Sequence, residues 1–100
     1  MAMFNPPHPG GLITEYLDDY KITLRSLARD LGISPSALSK VAAGKTAISP
    51  EMAVRLEAGL GIAARLWLAM QATYDLSKAR EAVDISHVVP SPHSQTTQIH

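Results

Sequence analysis

The polar side chains best grouped to meet a ligand are short and close together. Ser34, Ser36, Ser39 and Lys40 lie within seven positions, with Thr23 and Arg25 before them and Lys45 after them. Hydroxyl and ammonium groups donate hydrogen bonds to phosphate oxygens and to acceptors on base edges, so the set suits a nucleic acid better than a reaction. Nucleophilic chemistry at a serine needs a general base beside it, and every histidine is distant in sequence from these serines. The four histidines, His8, His87, His93 and His100, form no i,i+4 pair, and the chain has no cysteine. No metal-ligand spacing results. Gly10–Gly11 reads as a helix entrance, not a phosphate-cradling loop. An enzyme is the weak reading, and no cofactor is expected.

Two helical patterns position these groups. Leu24, Leu27, Ala28 and Leu31 lay an apolar stripe along one helix, Thr23 stands where an N-cap hydroxyl belongs, and Gly32 can end the helix in a left-handed conformation. Ile33 anchors the turn. The second pattern starts with Ser34 as cap and Pro35 at the first helical position, where a missing N–H costs nothing. Leu38 and Val41 then face the first helix, leaving Ser36, Ser39 and Lys40 on the other side. Ala28 provides the small side chain needed where two helices cross at about 90–120°. Periodicity alone also fits a plain helical hairpin in an all-helical domain. The small residue, turn glycine, apolar anchor, cap and serine-rich second helix together favour a helix-turn-helix unit, with double-stranded DNA as partner.

One hundred residues suit a single small domain. The formal charge is zero, but residues 21 to 45 hold Lys21, Arg25, Arg29, Lys40 and Lys45 against Asp30 alone, whereas Glu15, Asp18 and Asp19 precede them with no base. That asymmetry can make one face attractive to phosphate. No segment approaches the roughly eighteen apolar residues of a membrane span, and MAMFNPPHPGG lacks the charged and apolar regions of a signal peptide. A cytoplasmic protein with no membrane partner is expected.

The fold predicted is all-α, a compact five-helix domain with a weakly structured tail. Residues 1 to 10 read as an N-terminal arm, 11 to 74 as the helical domain and 75 to 100 as a partly disordered extension. Leu12, Ile13, Tyr16 and Leu17 form the apolar face of a first helix. Ser49 and Pro50 repeat the cap-and-proline signal before Met52, Ala53, Leu56 and Leu60, and either Gly59 or Gly61 ends that helix. Residues 62 to 73 form the last clear helix. Within it Leu66, Trp67 and Met70 offer more apolar surface than so small a domain needs, so they belong to the core, to a dimer seam, or to both. Leu76, Ala79, Ala82 and Val83 could line a further helix, and Ile85, Val88 and Val89 a short extended piece.

With the helices placed, the chain resembles the HigA-type antitoxins, the VapI-like branch of the lambda-repressor-like (XRE) helix-turn-helix family. The resemblance rests on HPGGLITEYL (8 to 17), LARDLGISPSALSKVAAGK (27 to 45), AISPEMAVRLEAGLG (47 to 61) and LWLAMQATYDLSKA (66 to 79). It implies a homodimeric antitoxin that represses its own operon and binds a HigB-type ribonuclease toxin. By matching position, it also implies a recognition helix from Ser34 to Val41, with Pro35, Ser36, Ser39 and Lys40 nearest the major groove and Thr23, Arg25 and Lys45 nearer the DNA backbone. Two alternatives are a stand-alone repressor and a protein-interaction module with weak DNA binding. Leu24, the neutral total charge and the alanine-rich second helix motivate the latter.

Overall fold

The computed structural model describes residues 5 to 93. His100, and the part of the tail expected to be disordered that follows His93, lie outside the described residues. Five helices follow one another, α1 (Gly10–Tyr20), α2 (Leu24–Leu31), α3 (Pro35–Ala42), α4 (Pro50–Leu60) and α5 (Ala64–Ala82), with no strand among the described residues. The fold is the all-α, five-helix arrangement expected. Helix α3 packs on α1 and α2, and α4 bridges α2 to α5.

The start of α1 shows why the His-Pro-Gly entrance has its sequence. Pro9 occupies the N-cap and has no hydroxyl to offer. His8 takes that role: its ring Nδ1 accepts the Gly10 N–H at 2.9 Å, and its carbonyl accepts the Gly11 N–H at 3.1 Å. The ring stands edge-on to Tyr74 of α5, with centroids 4.9 Å apart. Gly10 is needed for close approach, since a Cβ there would overlap the Val41 carbonyl of α3. Gly10 therefore belongs to the helix, one residue before the expected boundary. Pro6 and Pro9 are buried, so the described part of the arm is packed against the domain.

The core gathers Ile13, Leu27, Ala28, Leu31, Leu38, Val41, Ala53, Leu56 and Trp67, the apolar stripe of each helix turned inward, together with Ile48 from the loop between α3 and α4. Trp67 is wholly buried within one chain and belongs to the core; Leu66 is 45% exposed. The left-handed residue that ends α4 is Gly61 (φ 84°), while Gly59 lies inside the helix against Leu31.

Helix α5 differs from its expected extent at both ends. It begins at Ala64, and the first N–H is accepted by the Glu57 carboxylate of α4 at 3.1 Å, in place of a local cap. It continues unbroken to Ala82, joining what the sequence separated into a helix and a further segment. The apolar pattern fades because the distal half packs against little, and Leu76 is 53% exposed. Good helix formers without Gly or Pro sustain that half. Beyond it, residues 83 to 93 hold only two turns, the first closed by Val88 N–H to the Ile85 carbonyl at 3.0 Å.

Gln71 is the buried polar residue that apolar periodicity did not reveal. Its Oε1 accepts the Ile48 N–H at 2.9 Å, and its Nε2 donates to Asp75 at 3.0 Å, so α5 holds the loop between α3 and α4. Gln71→Ala would leave the buried Ile48 N–H unpaired and is expected to cost about 1–3 kcal/mol in urea unfolding. An unchanged midpoint and slope would contradict this role.

Candidate nucleic-acid interface

Local chemistry in residues 23 to 46 fixes one polar face in space. The Thr23 hydroxyl accepts the Ser26 N–H at 3.0 Å and starts α2; the Ser34 hydroxyl accepts the Ala37 N–H at 3.1 Å and starts α3. Each hydroxyl acts as acceptor in its cap, which leaves its own proton free for an outside oxygen. Between them the chain reverses at Gly32, whose φ of 73° is costly for any residue with a Cβ. The Ile33 N–H returns to the Ala28 carbonyl at 3.0 Å and closes the turn. Ala28 is fully buried between the helices, where a longer side chain would force them apart.

A clamp from α4 completes the unit. Arg55 donates through Nη1 to the Leu31 carbonyl at 2.9 Å and to the Gly32 carbonyl at 3.2 Å, while Nε and Nη2 hold the Glu51 carboxylate at 3.3 and 3.2 Å. The C-terminal carbonyls of α2 thus gain a cationic donor, which favours the negative end of the helix dipole. The sequence carried a signal for the Glu51–Arg55 half of this clamp, an i,i+4 carboxylate and guanidinium on one helix. Its reach to another helix was not legible.

At the other end of α3, the Lys40 carbonyl accepts the Lys45 N–H at 2.8 Å and the Thr46 N–H at 3.4 Å. The loop that carries Lys45 is therefore set in register with the recognition-helix candidate. Ser34, Ser36, Ser39, Lys40 and Lys45 are exposed, Pro35 is half-buried at the base of the helix, and Leu38 and Val41 are buried beneath it. Thr23 and Arg25 are exposed at the start of α2. Among the described residues Arg25, Lys40 and Lys45 form no ion pair, whereas Arg29 lies 3.8 Å from Asp30. Unpaired cations remain available to phosphate, and the exposed Arg29–Asp30 pair is worth little.

The structure also separates the expected residues into two places. Leu66 and Met70 lie on α5, where they line a largely apolar cleft of about 420 Å³ with Pro6, Pro7, Leu12 and Ala69. Trp67 points into the core instead. Sequence reading did not single out Ala37, Thr46 and Ala47, which line a groove beside Ser36 and Lys40. Alanine carries no polar signal, and the loop's placement depends on the Gln71 bond from α5. No group of His, Asp and Glu among the described residues is arranged to hold a metal ion, and none of the described helices is long and apolar enough to cross a membrane.

A capped helix, a left-handed glycine turn and a second capped helix with an exposed cationic face define a DNA-binding helix-turn-helix domain. Comparison with known proteins places it further. A helix-turn-helix family model matches residues 13–67. An HTH-type transcriptional regulator of Escherichia coli, YddM, is 40% identical over 88 residues, covering 88% of this chain and 94% of that one. The Pseudomonas aeruginosa antitoxin HigA, solved with the higBA promoter, superposes with a TM-score of 0.80 at 30% identity, covering 89% and 99% of the two chains. A further P. aeruginosa structure, of a protein with its 18-bp operator DNA, gives 0.76 at 31% identity, covering 86% and 96%. The chain belongs to the helix-turn-helix family, on the XRE branch that includes the HigA antitoxins, and is a non-enzymatic DNA-binding regulator of antitoxin type.

Ala28→Leu tests the packing on which the face depends. Overpacking at this buried crossing is expected to destabilise the domain by about 1–3 kcal/mol and lower its thermal midpoint. A midpoint equal to that of the parent would exclude a tight α2–α3 contact at Ala28.

Proposed function

We propose that this protein represses its own operon as a homodimer on a palindromic operator, and that it also neutralises a HigB-type toxin. The observation that carries the DNA reading is the exposed set Arg25, Lys40 and Lys45, without ion pairs among the described residues, around a rigidly capped α3. In this reading α3 enters the major groove. Ser36, Ser39 and Lys40 meet base edges, with Ser34 and Pro35 at the helix entrance. Thr23, Arg25 and Lys45 meet phosphates on either side. The open first-turn N–H groups of α2 add a partial positive charge beside Thr23. Repression follows from occupancy, since a protein seated in adjacent major grooves excludes polymerase from the same DNA; no bond is made or broken.

Two copies would supply what one short helix cannot. A single α3 spans few base pairs, and four or five phosphate contacts per chain give weak, salt-sensitive binding. The cleft bordered by Leu66 and Met70 supports the dimer reading, because it joins the arm, α1 and α5 in one largely apolar surface. The toxin reading is supported by the likeness to antitoxin HigA. Its test is co-purification and sizing with the product of the neighbouring gene, in which a stable complex is expected. Absence of a complex with a folded toxin would leave a stand-alone repressor.

For the DNA reading, Lys40→Ala is expected to weaken binding to DNA from the protein's own promoter by about 10-fold or more, if Lys40 donates to a base. Lys45→Ala should weaken specific and non-specific DNA alike and lower the salt slope by about one. Fluorescence anisotropy at several salt concentrations measures both. Parent-like behaviour of both variants would reject this face, and absence of any salt-sensitive specific complex would favour a protein-interaction module. Leu66→Glu is expected to shift the sedimentation coefficient to that of a monomer; an unchanged dimer would place the seam elsewhere.

A further inference from the structure

The outward side of α3 is built mostly from small side chains. Ser36, Ala37 and Ser39 are exposed, and Lys40 is the long one. Small side chains let a helix backbone sit near the base edges, and each then reads what it touches directly. Ala37 is distinctive within this set because it offers only a methyl group. It is also held in place, since its N–H is bound by the Ser34 hydroxyl at 3.1 Å.

Ala37 borders a groove of about 340 Å³ between α3 and the loop leading to α4. Val41, Ala47 and Met52 supply apolar surface in that groove beside Ala37, and Ser34, Ser36, Lys40 and Thr46 form its polar border. A donor or acceptor on a base edge brought to Ala37 would lose water without gaining a partner from these apolar side chains. A methyl group would instead gain contact. In the major groove thymine alone among the four bases presents a methyl group, at C5.

We infer that Ala37 is a specificity-determining residue that reads the 5-methyl group of a thymine in each half-site. The inference rests on the operator-binding reading above and deepens it. Lys40 lies one turn further along the same helix, about 5–6 Å away at the Cβ atoms, and can donate to the O6 or N7 of a guanine one or two base steps from that thymine. The half-site is thus selected by one methyl and one acceptor-rich edge, with Ser36 as an adaptable neighbour.

Replacement of single thymines by deoxyuridine removes the methyl group and keeps the base pair. On DNA from the protein's own promoter, one thymine position in each half-site is expected to lose about three- to fivefold in affinity, the value of burying one methyl-sized group. With Ala37→Gly the same replacement should have no further effect. Ala37→Ser, which retains a Cβ and places a hydroxyl at the contact, should also reduce the uracil penalty. Circular dichroism verifies that both variants keep the helical fold. Specific binding with no uracil-sensitive position, or with an undiminished penalty in both variants, overturns the role of Ala37 alone. Failure of the parent protein to bind any promoter fragment specifically, even at low salt, overturns the operator reading and this inference together.

Discussion

The close crossing of α2 and α3 at Ala28 is the constraint on which the polar face depends. Ala28 is fully buried, and its carbonyl also accepts the Ile33 N–H that closes the turn. Gly32 reverses the chain with positive φ, and Arg55 grips the carbonyls on both sides of that reversal. Each device is modest alone, since a hydrogen bond contributes on the order of 1 kcal/mol. Together they leave α3 one orientation relative to α2. The exposed side chains therefore occupy fixed positions even though serine and lysine side chains are themselves mobile.

The remaining helices support this geometry from behind. Gln71 of α5 holds the Ile48 N–H, which fixes the loop following α3. Glu57 of α4 starts α5, and His8 starts α1 while resting against Tyr74. Gly10 lets α1 approach the end of α3 at the Val41 carbonyl. The His-Pro-Gly entrance and the Trp67 helix thus act at opposite ends of the chain on the same element.

Local signals were the legible part of the sequence. Thr23, Ser34 and Ser49 each declare a helix start through a hydroxyl, and all three cap as their spacing implied. The leucine stripes fixed which faces turn inward. Contacts across the chain were not legible, because nothing in Gln71, Arg55 or Glu57 indicates which distant backbone group it will meet. The end of α5 was misplaced because hydrophobic periodicity reports burial, whereas its distal half is sustained by helix propensity while exposed. At the candidate interface, hydroxyls and cations drew attention to Ser36, Ser39 and Lys40. Ala37 stayed silent because a methyl group gains meaning only from the groove beside it, with Ala47 and Met52 in its lining.

Chemical-shift mapping on the isotope-labelled protein offers the most direct view of the face that meets DNA. Titration with promoter DNA is expected to shift the amides of Thr23 to Arg25, Ser34 to Lys40 and Lys45 to Thr46, with the shifts reversed by added salt. Shifts concentrated on the exposed distal half of α5, with α3 unchanged, would contradict an interface built on the α2–α3 crossing.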